Sequence, residues 1–400
     1  MSFYDAIRVG SSGDAGGFEV ERSLRFNPGD DTYLNRTPSS ASNRKTFTWS
    51  GWVKRSGLGA ASLFTADNNA GNDYSSFFFE SSTDRLQFNT VASGSQTFVA
   101  YTSSAFRDVS AWYHIVLAVD TTQATNSDGL KIYVNGTQQT LTFSSYSQNG
   151  GTSFNNNVQQ LLGRQQSGSE EFKGYMAEIN FIDGQQLTPA SFAETNSTTG
   201  QWIPKDTSAL TFGTNGFRLK FDDNSNTTAT TLGKDSSGNG NNFTPNNFSV
   251  AVGSAVNIKN NDSVLDTPTN NFPVLNPLNF NPFGVSNYVA SSPVNGNLEW
   301  VTNTTSNVNY AESTIFFPNT GKWYIEVYVN NLNIGSGVGY TQITVYGETG
   351  GSRYLWWVYA SPYYQIATNS TTETIGSISN GDIIQVAYDS DTGNVWFGKN

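Results

Sequence analysis

Between residues 45 and 182 the chain repeats one pattern: a short run in which apolar and polar residues alternate, closed by a cluster of Asn, Asp, Gly or Ser. A period of two puts alternate side chains on one face of an extended strand, and that face is buried only by a second layer. Residues 46–54 alternate aromatic with polar. Residues 113–120 place Tyr113, Ile115, Leu117 and Val119 on one face. Residues 130–134 run into Asn135 and Gly136, a pair that tolerates positive φ and suits a type I′ hairpin turn. Residues 175–182 alternate again, and polar loops such as 67–73 lie between. Short strands at regular spacing predict an all-β, antiparallel sandwich of the jelly-roll kind over residues 23–183, with inward residues alternating with solvated ones. Trp49, Trp52, Ile115, Leu117, Ile132, Val134, Ile179 and Phe181 are its expected core. One helix-like piece, residues 188–194, reads as two turns with Thr188 as N-cap and Pro189 at the first position.

Composition agrees with strands and turns. Hydrophobic residues are only 36%, but 27 Phe, 19 Tyr and 9 Trp let a few large rings fill a core. There is no Cys, so no disulfide holds the fold, and structural zinc is nearly excluded. The net charge of −11 and the lack of any Lys/Arg cluster argue against nucleic acid and anionic membranes as partners. No run approaches the ~18 apolar residues of a membrane span. Residues 1–10 lack the cationic start and apolar run of a signal peptide, so synthesis in a cytoplasm is expected.

The sequence divides into four parts. Residues 1–22, Gly- and Ser-rich at 10–17, are expected to be ordered only by a partner and to dock the chain onto it. Residues 23–250 form the first sandwich, with 217–223 and 235–242 adding strands to it; a truncated second sandwich is the alternative. Residues 251–285 are a Pro/Asn-rich linker whose prolines, four of them within 266–282, favour a spacer over a core strand. Residues 286–400 form a second sandwich in tandem.

Particular residues carry resemblances. The strand 113–120 ending in Asp120, the hairpin strand 130–136, residues 161–164 and residues 172–179 together resemble the LamG/concanavalin A-like lectin family. Residues 321–329, 338–340, 381–389 and 394–400 resemble a SPRY domain, which implies a second concanavalin A-like sandwich. The SPRY pattern breaks off at Asn400, so further strands are expected beyond it.

Several candidate sites stand beside bland readings. His114 is the single histidine, and any Ser-His-Asp triad or His metal site would have to use it; mid-strand, it reads as structural or surface. Retaining glycosidases need two close carboxylates. Glu170 and Glu171 are adjacent and would point to opposite faces of a strand, and Glu19 and Glu21 precede the sandwich, so no enzyme is expected. Asp67, Asn68, Asn69, Asn72, Asp73 and Tyr74 make an oxygen-rich loop at one rim, a candidate ligand site or only a turn. Trp356 and Trp357 offer a stacking platform or a core pair. Asp235, Ser237 and Asn239 occupy positions one, three and five of a half EF-hand-like loop, with Gly240 at six, which admits calcium as the one cofactor; Asn246 stands where a Glu should close it.

Residues 22–27, 31–38, 49–55 and 266–272 together resemble the LamG-like virion proteins of tailed bacteriophages, many from marine hosts. That resemblance implies a non-catalytic tail-fibre, receptor-binding or decoration protein on the virion exterior, made in the host cytoplasm. Its partners would be other virion proteins through the N-terminus and a host-surface polysaccharide, with homo-oligomerisation for avidity. A purely architectural virion protein, a bacterial surface adhesin and a glycan-degrading enzyme are the alternatives.

Overall fold

The computed structural model describes residues 17–68, 71–250, 261–278, 293–299, 313–315, 317–318, 320–328, 342–349, 352–359, 366–367, 372–373 and 381–399. In chain order the first strands are β1 (Ser23–Phe26), β2 (Tyr33–Arg36), β3 (Thr46–Arg55), β4 (Ala61–Asp67), β5 (Tyr74–Phe79) and β6 (Arg85–Ala92). Then come β7 (Ser95–Ala105), β8 (Tyr113–Asp120), β9 (Leu130–Val134), β10 (Thr137–Gln138), β11 (Leu141–Tyr146), β12 (Gln159–Leu162) and β13 (Gly174–Asp183). Shorter strands follow: β14 (Ala193–Thr195), β15 (Trp202–Pro204), β16 (Phe217–Leu219), β17 (Thr244–Asn246) and β18 (Ser263–Val264).

All but β14 and β15, which pair with each other, build two antiparallel sheets. The first runs β10-β9-β8-β3-β13-β1-β18, with β16 sharing the β1 edge of β13; the second runs β11-β7-β6-β5-β4-β12-β2-β17. The core between them is dominated by phenylalanine. Phe64 stacks on Phe154 at 4.5 Å between centroids, Phe47 meets Phe154 and Phe181 at 5.5 Å each, and Phe217 stacks on Phe181 at 5.5 Å. All eight expected core residues are buried, seven of them between the sheets and Trp52 on the outer face of the first sheet. The fold is thus an all-β, antiparallel two-sheet sandwich. Among the described residues no helix is long and apolar enough to cross a membrane.

The hairpin at Asn135-Gly136 has φ of 49° and 79°, the positive pair a type I′ turn requires. A Cβ on Gly136 would also sit 3.1 Å from the Trp202 ring. Gly136→Ala should therefore lower stability by about 1 kcal/mol, read as a shifted denaturant midpoint. An unchanged midpoint would show that the turn relaxes freely.

Four expectations need correction. First, β3, β8 and β13 are buried almost throughout and do not alternate with solvated residues. The reason is a third layer on the outer face of the first sheet. Val20, Trp52, Trp112, Tyr175, Ala177 and Ala193 form one apolar cluster there; Val116, Ala118, Tyr133, Ile182, Phe192 and Phe212 form another. Second, residues 17–22 belong to that layer: Val20 is buried and its backbone N–H donates to Thr269 Oγ1 at 3.1 Å. Third, the described part of the linker, 261–278, is docked along the sandwich. Ser263–Val264 pairs with β1, Asp262 pairs with Arg25 at 3.0 Å, and Asp266 pairs with Lys54 at 2.7 Å, all four ionic groups buried. Its described prolines, Pro268, Pro273 and Pro277, all follow these anchor points, so they do not interrupt the pairing. Fourth, residues 188–194 make a single 3₁₀ turn, Pro189–Ser191, before β14 pairs with β15. Burying Phe192 and Ala193 outweighs local helix preference.

Beyond residue 320 the described strands are β19 (Lys322–Tyr328), β20 (Gln342–Thr349), β21 (Ser352–Tyr359), β22 (Ile366–Ala367), β23 (Thr372–Glu373), β24 (Ile383–Asp389) and β25 (Asn394–Lys399). β19, β24 and β25 form one antiparallel sheet, and β20–β21 and β22–β23 are two-stranded.

Candidate functional site

The rim loop spends most of its polar groups on itself. Asn68 donates from its backbone to Asp73 O and from Nδ2 to Asn72 Oδ1 and Asp73 Oδ2, each at 3.3 Å. Asp73 Oδ1 accepts from Ser93 N and Asn72 O accepts from Gly94 N, both at 2.8 Å, which ties the loop to the neighbouring β6–β7 turn. Asn69 lies outside the described residues. Short Asx side chains bond nearby backbone before they reach for a ligand. Only Asp67 and Tyr74, at the strand ends, belong to a wider surface.

That surface is the outer face of the second sheet. Phe64, Phe77, Phe88 and Ala100 point into the core, so their strand neighbours point away. The pairing register lays the outward residues out in rows. One row is Tyr101, Gln87, Phe78 and Ser62. The next is Ser145, Val99, Asn89, Ser76, Thr65, Leu161 and Asn35. The third is Val91, Tyr74, Asp67 and Gln159. Tyr33, Tyr74, Phe78 and Tyr101 are half-buried. Two stacked arginines bracket the face. Arg85 lies 4.2 Å over the Tyr101 ring and is held by Glu80 at 2.6 Å; Arg164 lies 3.5 Å over Tyr33 and pairs with Asp31. Both cations are thus already neutralised.

The middle row is under-satisfied. Ser76 Oγ, Asn89 Oδ1 and Ser145 Oγ are shut off from solvent and have no hydrogen-bond partner. An orphaned buried polar group costs roughly 1–3 kcal/mol, and such groups call for an explanation. Asn89 Nδ2 reaches Tyr74 Oη only at 3.5 Å, the outer limit of a hydrogen bond. The partly exposed rings Tyr74, Phe78 and Tyr101, with Gln87 and Asp67 beside them, fit a ligand rich in hydroxyls with an apolar flank. The alternation over 85–89 is the sequence signal that gives Gln87 and Asn89 one parity. Which strands would stand beside them was not visible.

His114 is wholly buried. Trp202 Nε1 can only donate, and it does so to His114 Nδ1 at 3.0 Å. The proton therefore sits on Nε2, which donates to Ser50 Oγ at 2.9 Å, while the ring stacks on Trp52 at 4.9 Å. A general base must accept from its serine, so the polarity is opposite to that of a triad. Burial drives the imidazole pKa down to about 3. Glu170 accepts from Gln165 Nε2 at 2.5 Å and Ser62 Oγ at 3.3 Å, and burial raises its pKa.

Asp235 is a turn anchor. Its Oδ1 accepts from Arg218 N and Ser237 N, and its Oδ2 accepts from Ser237 Oγ and Asn241 N. Asn239 turns its Nδ2 to Gly213 O and Gly216 O. With both carboxylate oxygens doubly used and the amide donating, Asp235, Ser237 and Asn239 do not fit a calcium ion, and no step is derived through one. Among the described residues no group of three or more His, Asp or Glu could hold a metal. Trp356 and Trp357 pair with Val345 and Thr344 in register, consecutive on β21; their side chains lie outside the described ones.

No curated protein matches the chain. Three solved structures illustrate the similarity. A heptameric pentraxin of Limulus polyphemus is 12% identical, with 48% of this chain and 100% of that one covered and a TM-score of 0.34. A carbohydrate-binding protein assigned from Bacteroides ovatus is 15% identical, covering 57% of this chain and 59% of that one, at 0.38. Mouse laminin α1 domains LG4-5 are 9% identical, covering 99% and 82%, at 0.33. This chain thus spans less than two thirds of the Bacteroides chain. Residues 28–193, which hold most of both sheets, match the model of a laminin G family described as the concanavalin A-like lectin/glucanases superfamily.

Proposed function

We propose that this chain is a non-catalytic glycan-binding protein whose ligand lies across the outer face of the second sheet. The observation that carries the reading is the set of half-buried rings Tyr74, Phe78 and Tyr101, which the register places beside the partly exposed Gln87 and Asp67. Sugar hydroxyls bond Gln87 and Asp67, and the apolar face of a pyranose stacks on the rings. Paired arginines and a net charge of −11 favour a neutral glycan over an acidic one. The reversed Ser50–His114 polarity supports a non-catalytic role. The lectin-like match over residues 28–193 agrees with it.

The biological setting we propose is the exterior of a bacteriophage virion, as a tail-fibre, receptor-binding or decoration protein. The N-terminal segment would meet other virion proteins, and residues 286–400 would form a SPRY-like second domain. Several copies would give avidity to weak single sites. This part rests on the sequence resemblance alone.

A glycan array probed with the full chain tests the binding reading. The expected result is signal on neutral polysaccharides, weakened roughly tenfold by Tyr101→Ala or by Tyr74→Ala, with little change in melting temperature. An array blank at every neutral and acidic glycan would favour the purely architectural alternative.

A further inference from the structure

The sheet of β19, β24 and β25 has two unlike faces. On one, Ile384 and Val386 are completely buried. On the other stands Trp396, 54% exposed, the most exposed of the large apolar side chains described. Ile384 and Val386 mark the sheet's buried side, so the indole stands on the opposite, more polar side, in register with Ala387 and Tyr324. Around Trp396 the register places Ala387 and Tyr324 in its own row, and Gly398, Gln385 and Glu326 in the next. Ala387 and Gly398, the two smallest side chains there, open a cleft of about 210 Å³ lined by Tyr324, Gln385, Ala387, Trp396 and Gly398. Its polar rim is ordered: Tyr324 Oη donates to Glu326 Oε1 at 2.6 Å, and Gln385 Nε2 approaches the same oxygen at 3.5 Å.

We propose that this cleft is a second sugar site, holding one neutral pyranose against the Trp396 indole with its hydroxyls bonded to Glu326 and Gln385. An indole offers the apolar C–H face of a pyranose a flat partner, while a carboxylate and an amide accept and donate along its edge. A free aromatic amino acid would bring a carboxylate for which the cleft provides no cation among its lining residues. The proposal shares its ligand class with the glycan-binding reading of the second sheet but stands on different residues. One chain would then carry two sugar sites, and their joint avidity would exceed either alone.

The test uses the full chain labelled with 5-fluorotryptophan, the Trp396 resonance being assigned by its loss in Trp396→Phe. Methyl glycosides of glucose, galactose, mannose and N-acetylglucosamine are added up to tens of millimolar. At least one should shift the Trp396 resonance along a saturating curve, and Tyr101→Ala in the second sheet should leave that curve unchanged. Gly398→Val should weaken it roughly tenfold, because even a Cβ there would meet Gln385 Oε1 at 2.8 Å. Movement of the Trp396 signal with a blank array would keep this site and sink the first. A Trp396 signal that no sugar moves in the wild-type chain would overturn this site and leave the first standing.

Discussion

Acidification from pH 7 to pH 4 is expected to cost the folded chain about 3 kcal/mol through His114 alone. The imidazole is wholly buried between Ser50, Trp52 and Trp202, and its pKa is lowered to about 3, against an ordinary value of 6.5. The unfolded chain therefore takes up the proton first. The stability owed to neutral His114 is complete above pH 6.5 and drains away as the pH falls from there towards 3. His114→Gln keeps one donor and one acceptor but cannot titrate in this range. Its stability at pH 7 should be lower than wild type, and the gap should close by about 3 kcal/mol at pH 4. Carboxylates titrate in both proteins and cancel in the comparison. Denaturant melts at the two pH values check it; parallel pH profiles would mean the imidazole is reached by solvent.

The strongest single substitution outside the core should be Lys54→Met, at about 3–5 kcal/mol. Lys54 Nζ bonds Asp266 Oδ2 at 2.7 Å, Asn271 Oδ1 at 2.8 Å and Phe272 O at 2.7 Å, all from the docked segment. Trp112 Nε1 donates to the other carboxylate oxygen at 3.0 Å. Burial lowers the Lys54 pKa and raises that of Asp266, so desolvation outweighs their mutual attraction on both sides. Such a pair is costly to break by halves, because the remaining charge is left buried and unpaired. Adding Asp266→Leu to Lys54→Met should recover part of the loss. Limited proteolysis gives a second readout: cleavage within 261–278 should rise sharply in the single variant. A single variant as stable and as resistant as wild type would mean that the segment is held by its apolar contacts alone.

These two cases mark where the sequence was legible. The period of two over 113–120 and 175–182 identified strands, and the Asn135-Gly136 pair identified a turn, because both are local signals that backbone geometry dictates. The third layer was not visible. Asp262 and Asp266 sit among prolines and asparagines that read as a spacer, and their partners Arg25 and Lys54 are more than 200 residues away in sequence. No local pattern encodes such a pairing. The same limit applied to the site. Oxygen-rich loops at 67–74 and 235–240 drew attention by composition, yet their oxygens are largely spent on turns. Ser76, Gln87, Asn89 and Tyr101 are unremarkable as single residues and gain meaning only when the register sets them side by side.

The central claim is that the outer face of the second sheet holds a glycan, and a crystal structure of the full chain soaked with the best array ligand tests it most directly. Density for sugar rings should lie over Tyr74, Phe78 and Tyr101, with hydroxyls bonded to Gln87 and Asp67. Sugar density confined to the 67–73 loop, or a face that stays empty while the ligand binds elsewhere on the sandwich, would contradict it.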